Sequence, residues 1–168
     1  IMSMPHVLSK YPKAKLVIVG VGDLQEYLTN LTRTMRLDDY VRFRFDFIPE
    51  EERIQHYAAC DIACFPSFYE PFGIVALEAM SMEKPVVVGA AGVSGMREIV
   101  ICCSEEQCGY HIDPNNPSDI AWGIMSALES PEKRKWLGKN GRKRVLQEFT
   151  WSKIAEKTLV LYEQMLKR

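Results

Sequence analysis

The sequence predicts an α/β domain built on a parallel sheet, and three observations predict it. Short β-branched runs such as Leu16-Val-Ile-Val19 and Pro85-Val-Val-Val88 alternate with longer stretches whose apolar residues recur three and four apart. The runs are apolar throughout, as in strands covered on both faces. Short loops join one kind of segment to the next, with no internal repeat. At 168 residues, 47% of them hydrophobic, the chain fits a single domain, 1–168, with ample material for a core.

Each element has its own warrant. Ile1–Lys10 reads as the tail of a helix, stopped at Tyr11-Pro12 because the residue before proline is pushed out of the helical region. Lys15–Gly20 reads as a buried parallel strand. Gly20-Val-Gly22 turns the chain, and Asp23 is the expected cap of a helix carrying Leu24, Tyr27, Leu28, Leu31 and Met35 to about Arg36. Val41–Phe45 alternates like a strand. Pro49 then opens a helix whose first turn, Glu50-Glu-Glu52, suits the positive end of the dipole, and which ends near Ala59.

Asp61–Phe65 is the next strand, and Gly73–Met82 the next helix, apolar nearly all round. Lys84–Val88 is a buried strand ahead of the glycine-rich segment Gly89–Gly95. Gly109–Ile112 is a short strand. Asn116-Pro117 and Ser130-Pro131 each set a cap before a proline at the first helical position. The last helix starts around Thr150 and lines Trp151, Ile154, Ala155, Thr158, Leu159, Tyr162, Met165 and Leu166 on one face.

Parallel sheets of this kind bind ligands beyond the carboxyl ends of their strands, so the informative loops are those that follow strands. Gly20-Val-Gly22 is a poor dinucleotide fingerprint, since Gln25 stands where a third glycine belongs. The segment Pro66–Met80 is richer. Gly73 opens a helix directly after a strand-end loop, so the amides of Phe72, Gly73, Ile74 and Val75 should point out of the helix end and form an anion site. Glu70 precedes that helix and Glu78 lies more than a turn inside it. A carboxylate on so apolar a helix must be paired, hydrogen-bonded or functional. Either a structural ion pair or a carboxylate that takes the two hydroxyl protons of a vicinal diol fits. The spacing of eight is no signal alone, because Glu98 with Glu106 and Glu148 with Glu156 share it.

Taken together, Ala58-Ala-Cys-Asp61, Pro66-Ser67, Glu70-Pro-Phe-Gly-Ile-Val-Ala-Leu-Glu78-Ala-Met80 and Pro85-Val-Val-Val88 resemble the C-terminal, donor-binding domain of retaining GT-B glycosyltransferases (glycosyl transferases group 1, glycogen-synthase-like). The resemblance runs from Lys15 to Trp151. It implies a Rossmann-like parallel sheet with helices on both faces, one half of a two-domain enzyme. It also implies hexosyl transfer from a nucleoside-diphosphate sugar (UDP-, ADP- or GDP-linked) to an acceptor hydroxyl, with retention and without metal or other cofactor. Glu70 would position the donor sugar, Phe72, Gly73, Ile74 and Val75 would offer amides to sugar and diphosphate, and Glu78 would bind the ribose hydroxyls. Phe47 and Ile48 would lie beside the base, and Glu98 would be structural. Glycogen- or starch-type glucosyl transfer fits the same residues, and a non-catalytic nucleotide-sugar-binding module is the alternative of another class. The family often has Gly-Gly where this chain has Ser94-Gly95. Its diphosphate-binding Arg and Lys and its acceptor domain have no counterpart here. With Ile1 opening the chain inside an apparent helix, a fragment of a longer protein is expected, inactive alone.

Other features narrow the classes. Twenty-one Lys and Arg against 22 Asp and Glu leave a net charge of −1, with no nucleic-acid footprint. No apolar run reaches the roughly 18 residues of a membrane span, so membrane association is expected only through the acceptor. Five cysteines are no disulfide framework, and Cys102, Cys103, Cys108 and His111 lack paired metal-ligand spacing. Buried or incidental thiols in a cytoplasmic protein are expected. The absence of any Asp-x-Asp element agrees with a metal-free site. Lys133–Lys143 reads as a solvated basic face, with a lipid-linked acceptor as the lesser option, and Trp122, Trp136 and Trp151 read as packing residues.

Overall fold

The computed structural model describes residues 1–167. Its strands are β1 (Leu16–Val19), β2 (Val41–Arg44), β3 (Ala63–Phe65), β4 (Val86–Gly89) and β5 (Gly109–Ile112). Its helices are α1 (Met4–Lys10), α2 (Gln25–Thr34), α3 (Glu50–Ala59), α4 (Ile74–Ser81), α5 (Met96–Ile99), α6 (Pro117–Ala127), α7 (Pro131–Arg144) and α8 (Trp151–Leu166). A π-helical turn, Val145–Phe149, joins the last two.

Every strand pairing is parallel, as expected, but the strands form two sheets. One is β1-β2, in the register Leu16↔Val41 to Val19↔Arg44, and the other is β3-β4-β5 with β4 at its centre. A doubly wound sheet places a further strand between two such halves, and none of the described residues supplies it. β1 is therefore not the strand covered on both faces that its sequence predicts. Leu16 and Ile18 pack against Met4, Leu37 and Val41, whereas Val17 and Val19 are exposed.

The larger sheet has helices on both faces. Ala63, Val86 and Val88 meet Ala76, Ala79 and Met80 of α4, Met96 and Ile99 of α5, and Val145 and Phe149 of the π-helical turn. On the other face Val87, Tyr110 and Ile112 meet Ile120, Ile124 and Ala127 of α6 and Leu137 of α7. All three valines of β4 are fully buried, which is why that strand tolerates no polar residue. α1 lies on α6, where the Tyr11 hydroxyl donates to the Met125 carbonyl at 3.5 Å.

Two caps act as their sequences predict, and Thr150 supplies a third. Asn116 accepts from the amides of Ser118 (3.0 Å) and Asp119 (3.3 Å), Ser130 from Lys133 (3.1 Å) and Thr150 from Lys153 (3.3 Å). Asp23 does not cap: α2 starts two residues later, with Leu24 at the cap position and no side-chain bond. α1 starts at Met4, with Pro5 in its first turn.

The last helix leaves the core. No residue of α8 is buried, and it rests on the π-helical turn alone among the stronger contacts between elements. Trp151 is 88% exposed and so is not a packing residue, whereas Trp122 meets Tyr110 edge-on at 5.6 Å. The basic face of α7 is solvated and laced by Arg134–Asp61 (3.5 Å), Arg142–Glu83 (3.9 Å) and Lys143–Glu106 (3.8 Å).

Candidate functional site

The loop from β3 to α4 runs over the carboxyl end of the larger sheet and leans on the loop that follows β4. Two glycines make that approach possible. A Cβ on Gly89 would lie 2.3 Å from the Ser67 carbonyl oxygen, and one on Gly95 would lie 2.5 Å from that of Pro71. The loops are also stitched together: the Glu70 amide donates to Val93 O (3.1 Å) and the Gly95 amide to Glu70 O (2.7 Å). Ser94, where the family resemblance suggests glycine, is buried and donates its hydroxyl to Gly89 O at 2.7 Å. The serine thus braces the loop from within, and the close contact falls on the glycine that remains.

Gly73 is the residue before α4, with φ at +106°, a conformation that a side chain disfavours. The space where a Cβ would stand is filled by Met96, 2.7 Å from its Cγ, while the Cγ of Glu70 lies 3.5 Å away. The underside of the helix tip is therefore packed by α5, with Glu70 beside it. No side chain caps the tip. Among the described residues, the amides of Phe72, Gly73, Ile74 and Val75 donate to no protein acceptor, and Phe72, Ile74 and Val75 are exposed. Free donors at the positive end of a helix are the groups an anion would need, although Gly73 itself is buried. The Phe72 ring meets Phe149 edge-on at 6.3 Å and so ties the tip to the π-helical turn.

Glu78 lies farther along α4, and α3 holds it. The Tyr57 hydroxyl donates to one carboxylate oxygen at 3.1 Å, and the Arg53 guanidinium lies 3.2 Å from the other. The same hydroxyl is 3.5 Å from Val75 O, which places this carboxylate along the first turn of α4. Burial, reinforced by the charge of Glu78, raises the Tyr57 phenol above its ordinary value of 10, so it stays a donor at neutral pH. An ion pair thus exists, but it is not closed. The Glu78 side chain keeps 29% of its surface exposed, and the single hydrogen bond from Tyr57 leaves most of the carboxylate's acceptor positions free. Sequence reasoning identified Glu78 but neither of its partners. The available signal was the pair Arg53 and Tyr57, four apart and so on one face of a helix.

The segment after β2 splits the two residues expected beside a base. Phe47 is 88% exposed, whereas Ile48 is 7% exposed and turned into the protein, leaving only its backbone to face a ligand. Glu98 sits in α5, and Arg144 donates to its carbonyl oxygen at 2.6 Å. The Nε2 of His111 lies 2.8 Å from Val100 O. Burial pushes the thiols of Cys60, Cys64 and Cys108 up, that of Cys64 to about 12. Among the described residues no three His, Cys, Asp or Glu side chains gather as metal ligands.

The profile of the family "Glycosyl transferases group 1" matches residues 1–144. The chain belongs to that family. It is 37% identical over 163 residues to an uncharacterized glycosyltransferase of Methanocaldococcus jannaschii, covering 97% of this chain and 40% of that protein. The sucrose-phosphate synthase of Thermosynechococcus elongatus superposes with a TM-score of 0.82 at 32% identity, over 99% of this chain and 42% of that one. HepE of Anabaena, solved in complex with UDP, superposes with a TM-score of 0.76 at 25% identity, over 95% and 44%. The chain therefore has the fold of one GT-B domain and spans about two fifths of that curated relative. No helix among its described residues is long and apolar enough to cross a membrane.

Proposed function

We propose that this chain binds the nucleoside-diphosphate sugar for a retaining, metal-independent hexosyl transfer to an acceptor hydroxyl. The observation that carries the reading is the glycine-opened end of α4, where four amides lie without protein acceptors, with Glu70 beside them and Glu78 along the first turn. The departing diphosphate gains negative charge as the glycosidic bond breaks. Donors fixed in advance where that charge grows stabilise the transition state without reorganising. The helix end supplies them, together with the favourable end of its dipole. Glu70, its backbone pinned to Val93 and Gly95, orients the sugar hydroxyls. With retention the acceptor approaches from the leaving-group side, so Glu70 serves as a positioning group rather than a general base. Glu78 takes the ribose hydroxyls on its free acceptor positions, and the exposed ring of Phe47 lies beside the base.

The five free cysteines suit a reducing compartment, in keeping with a cytoplasmic enzyme. The acceptor site and further catalytic groups belong to a second domain such as the longer relatives have room for, so this chain alone binds donor without transferring it. Calorimetric titration with UDP, ADP and GDP, each with magnesium and with EDTA, tests the reading. One nucleotide should bind, equally well in both media, and Glu78→Gln should weaken it about tenfold. A Glu78→Gln protein that loses stability but keeps its affinity would return that carboxylate to a structural ion pair.

A further inference from the structure

Resting on the reading of Glu78 as the ribose carboxylate, we propose that Arg53 and Tyr57 of α3 are positioning residues for that carboxylate, so that the preference for a ribose over a deoxyribose is set from a neighbouring helix. The argument starts from the freedom of a glutamate. Three rotatable bonds separate its backbone from its carboxylate, and a vicinal diol needs both oxygens in one plane at one orientation. α4 by itself does not hold them, since its surface around Glu78 is Ile74, Val75, Leu77 and Ala79.

Two donors from outside the helix do. Arg53 fixes one oxygen at 3.2 Å and Tyr57 the other at 3.1 Å. Tyr57 occupies one acceptor position by a hydrogen bond and Arg53 adds an ion pair, so each oxygen keeps room for a further donor, such as one of two adjacent hydroxyls. The donors are themselves held. Tyr57 packs against the core formed by α4 and β3. The C-terminal end of α3 is fastened by Lys84, whose ammonium donates to Ala58 O (2.7 Å) and Cys60 O (2.8 Å). A carboxylate locked from two sides needs little ordering when a ligand arrives, and preorganisation of this kind raises affinity without any new contact to the ligand.

The test compares each nucleoside diphosphate (UDP, ADP, GDP) with its 2′-deoxy form by calorimetry. The readout is the ratio of the two affinities, which a purely structural role would not move. Tyr57→Phe keeps the ring and its packing. It should leave the 2′-deoxy affinity near that of the unaltered protein, weaken the ribose form about five- to tenfold, and hold the melting temperature within a few degrees. Arg53→Gln should act in the same direction. In the Glu78→Gln background Tyr57→Phe should lower the ratio no further. If Glu78→Gln collapses the ratio while Tyr57→Phe and Arg53→Gln leave it within twofold, the positioning role is wrong and the ribose reading survives. If Glu78→Gln itself leaves the ratio intact, or no nucleotide binds, both fall together. If Tyr57→Phe lowers the ratio further in the Glu78→Gln background, Tyr57 acts other than through Glu78 and the proposal is overturned.

Discussion

Replacing Gly95 by alanine isolates how the two loops hold the site. Gly95 has φ −66° and ψ −18°, which alanine adopts freely, so backbone strain plays no part and the effect is steric. The new Cβ would stand 2.5 Å from Pro71 O, 2.9 Å from Phe72 Cα and 3.0 Å from Phe72 O. These are backbone atoms, with no rotamer to relieve the contact. Relief requires the 70–72 segment to recede by roughly an ångström, the gap between 2.5 Å and ordinary contact, with an overpacking cost of about 1–3 kcal/mol. That movement also stretches the bonds Gly95 N to Glu70 O and Glu70 N to Val93 O, each worth about 0.5–1.5 kcal/mol. Against this, alanine restricts the unfolded chain and returns about 0.4–1 kcal/mol. The net expectation is a loss of about 2–4 kcal/mol, read as a lower urea midpoint at unchanged slope. An ångström of displacement at Glu70 and Phe72 should also weaken nucleoside-diphosphate binding at least tenfold. Gly22→Ala is the matched control, because nothing lies within 4 Å of its Cβ; it should raise the midpoint slightly, by the same gain of about 0.4–1 kcal/mol, and leave the affinity unchanged. A Gly95→Ala protein as stable as the control, with unaltered affinity, would refute the claim that the loop after β4 fixes the loop before α4.

Asn116→Ala should cost about 1 kcal/mol and lower the melting temperature by a few degrees, because it strips the two amide bonds that start α6. Lys84→Met should cost about 1.5–3 kcal/mol in urea, since two carbonyls at the end of α3 lose a charged donor. Alkaline pH should destabilise the fold. The buried thiol of Cys108 has a folded pKa above its ordinary 9.0, so above pH 9 the unfolded chain releases a proton that the folded chain keeps. Stability is therefore full below pH 9 and declines as pH rises beyond it; Cys60, Cys64 and Tyr57 act with the same sign. Urea midpoints at pH 8 and pH 10 check this, and equal midpoints would contradict it. His111 acts at the acid end. Burial lowers its pKa below 6.5, so the unfolded chain takes up the proton first and stability declines as pH falls through 6.5.

What could be read in the sequence was whatever a single local rule decides. β4 declared itself because three consecutive valines suit a strand covered on both faces, and Asn116 and Ser130 because a cap is satisfied by amides two or three residues away. Gly73 declared itself as the residue that opens a helix directly after a strand-end loop, although its left-handed φ did not. Features decided by distant residues stayed hidden. Val17 and Val19 have the composition of a covered strand, but what lies across β1 is not written in β1. Asp23 has the right chemistry for a cap and lies one residue too early, since α2 begins at Gln25. The π-helical turn at Val145–Phe149 is set by packing, with Val145 and Phe149 against the core of the larger sheet and Arg144 over the Phe149 ring at 5.5 Å. The site shows the same division. The free amides follow from local helix chemistry at Gly73, and were expected. The state of Glu78 depends on Arg53 and Tyr57, which precede it by 25 and 21 residues on another helix. A carboxylate on an apolar helix signals that a partner exists without naming it. The partners here leave acceptor positions open, and the proposed ribose contact requires them.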